Sequence, residues 1–452
     1  MDRRIFRKKL MTLVLPIAFQ QFMLAVVSAS DALMVGTIEQ DLLSAVSLAS
    51  QLTFVYNLFL AALTIGTSMF AAQYWGKGDR TSIEKTLAIA LRTSTAVSIV
   101  FFAGTTFAPE MLMRIFTSDP VLIGHGAVYL RIVGVNYLMC GVSQIYLCIM
   151  KNSGFAARSM AIGSTTALLN IVLNAVLIYG LFGAPRMEAA GAAAATSISR
   201  AVELLWVLFE LGRKDRIKIR IRFFLHPDRA LRRDFWRYTL PVLGNELVWG
   251  GGFTMYSVIM GHLGTDAVAA NSISNIVKNL VVSFALGLGN GGAIIVGNEL
   301  GAGRLETARE YGGRLCRISI VSGICSGAFL LLISPAVLAV TDLSPQAAEY
   351  LKWMLVMCSY YMVGKYVNAT TISGIFCAGG NSGFGFLCDT ITLWCFTVPA
   401  GFLAAFVFRW PVLAVYFIVN LDEIVKLPAV YRNYKKYIWL KDLTTGSEEK
   451  KR

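Results

Sequence analysis

The stretch from Leu10 to Gly36 is apolar except for a few hydroxyl and amide side chains and one charged residue, Asp31, and runs of this kind return along the whole chain. A helix rises about 1.5 Å per residue and the hydrocarbon core of a bilayer is about 30 Å thick, so some 20 apolar residues are enough to cross it. Twelve runs meet that condition, at approximately 10–36, 47–75, 86–108, 123–150, 159–181, 188–212, 235–261, 270–299, 316–340, 347–378, 383–408 and 411–431. They are continuously apolar instead of alternating at period two, which predicts helices and not barrel strands. With 56% hydrophobic and 15% charged residues in 452, the composition is too apolar for a soluble protein of this length. The expected fold class is an all-α membrane protein with twelve transmembrane helices.

The net charge of +14 raises the question of a nucleic-acid partner, and its placement answers it. Lysines and arginines gather in alternate connections: "RRIFRKK" before the first run, then "KGDR", "KNSGFAAR", the long segment 213–234, "GAGRLETAREYGGR" and the C-terminal "YRNYKKYIWLK". The opposite connections hold little beyond Arg114, Arg186 and Arg409. This is the positive-inside pattern, which places both termini in the cytoplasm of a plasma membrane protein and makes lipid headgroups the partner of the basic excess. No nucleic acid is expected, because the basic loop lacks interleaved stacking aromatics in a folded module.

The N-terminal "DRRIFRKK" and "VSASDA" imitate an export signal and its cleavage site, yet the apolar run continues past that point, and a retained first helix is expected. The eight cysteines contain no C-x-x-C pair and read as small buried apolar residues.

Compared with itself at an offset of 225, the chain matches Leu15-Pro16 to Leu240-Pro241, Gly36 to Gly261, Gly66 to Gly291, Gly76 to Gly301, Gly78 to Gly303 and Arg92 to Arg317. Repeated agreement of glycines and prolines at one offset indicates a duplicated six-helix unit. An even number of spans per unit makes the repeats parallel, an arrangement transporters use to rock two bundles about a midplane site. The expected organisation is an N-terminal lobe 1–212, a basic cytoplasmic linker 213–234, a C-terminal lobe 235–432 and a cytoplasmic tail 433–452.

A carboxylate inside a bilayer costs a few kcal/mol and marks an ion or proton path, unless it lies near an interface and pairs structurally. Asp31, Glu246 in the seventh run and Asp389 in the eleventh are the candidates for ion coupling. Asn170 and Asn174, four residues apart, share a helical face, as do Lys365 and Asn368; buried amides of this kind coordinate cations, bind polar substrate or hydrogen-bond between helices. Lys365 is placed to neutralise a carboxylate that the sequence does not identify.

"GLGNGG" at 287–292 fits G-x-G-x-x-G but lies in an apolar run with no preceding strand, so close helix packing or a hinge is expected there, not a dinucleotide site. The chain has no G-x-x-x-x-G-K-[ST], no H-E-x-x-H and no G-x-S-x-G, so neither ATP hydrolysis nor an enzyme activity or cofactor is expected.

Over nearly its whole length the sequence resembles the multidrug and toxic compound extrusion (MATE) family. The resemblance rests on "LPIAFQQFMLAVVSASDALMVG" with Pro16, Gln20 and Asp31-x-x-Met34-Val35-Gly36. It continues through "AAQYWGKGD", "GAAAATSIS", "LPVLGNELVWGGG", "GNELGAGR" and "LDEIVKLPAVYRNYKKYIWL". It implies two six-helix bundles around a V-shaped central cavity, exchanging amphipathic, often cationic organic compounds for sodium ions or protons; a functional monomer is a separate expectation that no motif carries. Asp31 matches the family's first-helix acid and Glu246 a seventh-helix acid of some bacterial members, which makes both candidate sodium ligands; Asp389 matches less directly. Gln20, Asn170, Asn174, Asn245, Tyr256, Lys365 and Asn368 are the polar residues expected around the cavity. Tyr256 stands opposite Asp31 in the repeat, so the carboxylate itself is not duplicated. A lipid or lipid-linked oligosaccharide flippase of similar fold is the alternative, and it calls for a basic cavity; a non-transporting scaffold would be indifferent to neutralisation of Asp31.

Overall fold

The computed structural model describes residues 3–35 and 39–445; Gly36, the end of the Asp31 signature, and the tail beyond residue 445 lie outside them. Every element among the described residues is helical, and a helix stands at each expected run. The first occupies 3–35, followed by Gln40–Lys77, Arg80–Phe107, Pro120–Asn152, Ala156–Tyr179 and Glu188–Gly212, then Arg229–Gly261, Thr265–Gly301 and Leu305–Val340. The tenth and eleventh occupy 345–378 and 382–407, and the last region is Val412–Lys435 in pieces. Among the described residues, nine of these helices are long and apolar enough to cross a membrane. The seventh, tenth and twelfth fall short, and they are the ones that carry Glu246, Lys365 and the Asp422, Glu423 and Lys426 charges.

The chain divides into two compact units, one of residues 23–75 and 79–236, the other of 3–22, 76–78 and 237–445. The first helix therefore changes unit between Phe22 and Met23. Internal spacing repeats between the units. In the first, hydrogen bonds join the second and fourth helices at a separation of 84 residues, Thr53 to Tyr137, Thr64 to Cys148 and Ser68 to Asn152. In the second, Ser274 of the eighth helix meets Cys358 of the tenth at the same separation, 84. Equal separations mean that helix lengths and connections were duplicated together.

Segment 213–234, expected as a linker, is anchored within the first unit. Arg216 binds Glu210 at 2.6 Å, Arg220 binds Glu84 at 2.5 Å and Lys85 binds Asp228 at 3.1 Å. Beyond the twelfth helix the chain folds back: Trp439 is buried, and a Cβ on Gly379 would fall 1.6 Å from its carbonyl oxygen. The cysteines depart from expectation in part, since Cys325 and Cys395 are exposed. A thiol is apolar enough to suit a lipid-facing surface as well as a core.

The glycines of "GLGNGG" are a packing face. A Cβ on Gly287 would lie 2.2 Å from Ala18 Cα, on Gly291 2.8 Å from Val14 Cα, and on Gly289 2.6 Å from the Ala369 carbonyl oxygen. Glycine lets the eighth helix lie directly against the backbones of the first and tenth. Gly287→Val is expected to destabilise the protein by about 3 kcal/mol, the upper end for overpacking. Gly383→Ala, whose Cβ meets nothing within 4 Å, should leave thermal unfolding in detergent almost unchanged.

The twelfth run corrects the sequence reading most. It was expected as one helix over 411–431, but Val412–Val419 ends at Asn420, a single turn covers Asp422–Val425, and Leu427–Lys435 resumes beyond Lys426. Gly364 of the tenth helix makes room for the break, since a Cβ there would lie 2.8 Å from the Glu423 carbonyl oxygen. Irregular backbone among apolar helices is tolerated where protein groups satisfy it, and the Asn368 amide donates to that same oxygen at 2.7 Å.

Candidate functional site

In the first unit the polar residues converge from three helices. Asn174 Nδ2 donates to Asp31 Oδ1 at 2.5 Å and to Asn170 Oδ1 at 3.2 Å, while Asn170 Nδ2 donates to Thr196 Oγ1 at 3.3 Å. The four-residue spacing of Asn170 and Asn174 stacks them on one face of the fifth helix, and both are buried. Asn174 Oδ1 is buried beside the carboxylate and accepts no hydrogen bond from any described residue. One turn beyond Thr196, Arg200 binds Glu203 at 2.9 Å and acts electrostatically on Asp31. Glu203 also accepts from Ser143 Oγ at 2.5 Å and Gln144 Nε2 at 2.9 Å, so it is fully engaged. Asp31 thus keeps a carboxylate among amides with a cation nearby but not paired to it.

In the second unit a larger charged cluster forms around the break in the twelfth helix. Lys426 Nζ donates to Asp389 Oδ1 at 2.8 Å and lies 3.4 Å from Glu423 Oε2 and 3.8 Å from Asp422 Oδ2. Lys365 donates to Glu423 Oε1 at 3.0 Å, and Asn368 Nδ2 donates to Glu423 Oε2 at 2.7 Å. The Asn245 amide, with its nitrogen toward the carboxylate, donates to Asp389 Oδ2 at 2.9 Å and to the Gly385 carbonyl at 3.0 Å. Lys278 donates to Asn420 Oδ1 at 3.3 Å, holding the residue where the helix stops. Asp389 and Asn368 each precede a widened helical turn, at Thr390–Thr397 and Ala369–Phe376, a distortion that recurs at functional positions.

Glu246 is the unpaired member. It interacts electrostatically with Lys365 and Asp389, yet no described residue gives it a hydrogen bond or an ion pair. Three carboxylates share two ammonium groups in direct contact, and Glu246 adds a further negative charge beside them. The cluster therefore has capacity for a proton or a cation.

Of the expected residues, the structure joins Asp31 with Asn170 and Asn174, and Asn245, Lys365, Asn368 and Asp389 with the break. The carboxylate that Lys365 neutralises is Glu423. Tyr256 packs among Ile259, Ala404, Ala405, Val415 and Val419 and interacts electrostatically with Asp422, Lys426 and Glu423 of the second cluster. Gln20 is buried, and its Oε1 has no donor among the described residues. Sequence reasoning missed Thr196, Arg200, Glu203, Lys278, Asn420, Asp422, Glu423 and Lys426. The signal was present: three charges in "NLDEIVK" and an i, i+3 pair in "SRAVE" both fall inside predicted spans, where every charge demands a partner.

Residues 16–176 and 241–403 match the profile of the MatE family, so the two matched blocks start at the Pro16 and Pro241 that the repeat superposes. Among similar proteins, the uncharacterized transporter YisQ of Bacillus subtilis is 19% identical over 95% of this chain and 94% of its own. The multidrug resistance protein PmpM of Pseudomonas aeruginosa is 24% identical over 81% and 78%, and the probable multidrug resistance protein NorM of Thermotoga maritima 21% over 88% and 85%. Among solved structures, a MOP superfamily transporter from Pyrococcus furiosus shares the fold with a TM-score of 0.86 and 19% identity over 96% of both chains. The outward-facing structure of a multidrug resistance MATE family transporter gives a TM-score of 0.87 over 96% of both chains, also at 19% identity. With a profile match spanning both halves of the chain and relatives along most of its length, this integral membrane protein belongs to the MatE family.

Proposed function

We propose that the protein is a secondary antiporter that exports amphipathic organic cations in exchange for sodium ions or protons, with twelve spans, cytoplasmic termini and a plasma membrane location. The observation that carries the coupling is the oxygen set at Asp31: a carboxylate beside the buried and unpartnered Asn174 Oδ1, with Asn170 Oδ1 next in line. Oxygens of this kind suit a hard cation, and the carboxylate alone suits a proton. Glu246 and the charge excess around it supply a second place for the ion in the other unit. Export follows if ion and substrate favour different arrangements of the helices, since coupling is differential affinity. Lys365 and Lys426 are already held by carboxylates, which counts against the basic cavity a phosphate-bearing lipid-linked substrate requires.

The test is efflux of a fluorescent organic cation from proteoliposomes under an imposed sodium or proton gradient. Wild type is expected to move the probe under one gradient and not without it. Glu246→Gln is expected to lower the gradient-driven rate at least about threefold while probe binding stays unchanged. Transport of the probe under neither gradient by folded wild type overturns the proposal.

A further inference from the structure

Within the second unit, a cleft of about 1140 Å³ opens between the start of the first helix, the start of the ninth and the end of the twelfth. Arg7, Arg309, Arg314, Arg317 and Lys435 line it, against only Glu306 and Glu310. Glu310 engages Arg314 at 2.5 Å and Glu306 engages Arg309 at 3.9 Å. Arg7, Arg317 and Lys435 are exposed and find no carboxylate within 4 Å among the described residues. Three positive charges thus converge on one concave surface without compensation, where charges left together repel unless an anion joins them.

The rest of the lining says which kind of anion. Leu10 and Ile318 also face the cleft, directly beside the arginines. From Arg7 an exposed apolar row continues through Met11 and Leu15 of the first helix at four-residue steps. From Arg317 another continues through Ile320, Val321 and Ile324 of the ninth. Side chains three, four and seven or eight apart lie on one helix face, so Arg7 and Arg317 each top an apolar stripe running into a helix long and apolar enough to span the membrane. A soluble phosphate compound uses the cations and leaves the stripes bare, whereas a phospholipid uses both. Tyr431 and Tyr434 at the cleft add the amphipathic rings that favour the headgroup level.

We propose that this cleft is a binding site for an anionic glycerophospholipid. Its phosphate sits among Arg7, Arg317 and Lys435, and its acyl chains follow the apolar faces of the first and ninth helices. A lipid so held ties together three elements that are distant in sequence, and so stabilises the fold of this unit.

The experiment compares purified protein in detergent supplemented with phosphatidylglycerol or with phosphatidylcholine, reading bound lipid by native mass spectrometry and thermal unfolding in parallel. Wild type is expected to retain phosphatidylglycerol at least about tenfold better than phosphatidylcholine and to unfold at a higher temperature with it. Arg7→Gln/Arg317→Gln/Lys435→Gln is expected to lose both effects, and the single Lys435→Gln part of them. Arg232→Gln/Arg233→Gln, which removes exposed charge from the basic segment and from residues that do not line the cleft, should keep them. Equal loss in that control, the same stabilisation by inorganic phosphate alone, or no preference for phosphatidylglycerol in wild type would each overturn the proposal.

Discussion

Asp31→Asn is expected to stop gradient-driven efflux while leaving the protein folded. The asparagine keeps the size of the side chain and an oxygen in place to accept from Asn174, so the contact between the first and fifth helices survives. What is lost is the charge, and with it the means to take up a proton or to balance a sodium ion. The gradient-driven rate should fall at least about tenfold, corresponding to about 1.4 kcal/mol on the barrier of the coupled step. Asn174→Ala tests the same site from the other side, removing the oxygen that has no partner and the donor that positions the carboxylate. Efflux measured in proteoliposomes, beside thermal unfolding of the same preparations, separates the two contributions. Asp31→Asn transporting at the wild-type rate would remove this residue from the mechanism.

Lys426→Met is expected to have the largest effect on stability. The ammonium is 3% exposed and lies 2.8 to 3.8 Å from Asp389, Glu423 and Asp422. Its removal leaves Glu423 with Lys365 and leaves buried Asp389 and Asp422 with no cation in contact among the described residues, and breaking a buried pair from one side costs about 3 to 5 kcal/mol. Asp389→Asn in the same chain removes the carboxylate that Lys426 holds most closely and should recover part of the loss. Thermal unfolding of the single and double variants completes the cycle, in which a positive coupling between the two sites is the expected outcome. If Lys426→Met unfolds at the wild-type temperature, the cluster does not hold the broken helix together.

Most of the helical layout was legible because membrane insertion imposes a coarse rule on composition. A span needs about 20 apolar residues whatever its neighbours, so the runs at 47–75, 86–108 or 316–340 announce themselves. The repeat was legible for a similar reason. Gly291 is retained because a backbone passes where its side chain would be, and its counterpart Gly66 falls at the same offset of 225.

The candidate site was legible only in fragments. Asp31 stood out as the one charge in its apolar run, and Asn170 with Asn174 as a shared face, but nothing local joined the three. Glu423 shows the limit most clearly. It follows Asp422 in a short charged stretch near the C-terminus, and its partner Lys365 lies 58 residues earlier. The helix break that brings them together depends on Gly364 admitting the Glu423 carbonyl and on Asn368 satisfying it. Propensity alone favours continuing an apolar helix through that point, and tertiary hydrogen bonds outweigh it.

By itself, then, the sequence determined that the chain enters a membrane as a duplicated set of apolar helices and that a few carboxylates go with them. Those properties follow from hydropathy and spacing, which are local. The tertiary structure decided which acid meets which base, that Glu246 has no hydrogen-bond or ion-pair partner among the described residues, and that the twelfth helix is interrupted at Asn420. Each of those depends on the summed electrostatics and packing of side chains from several helices, which no single segment contains.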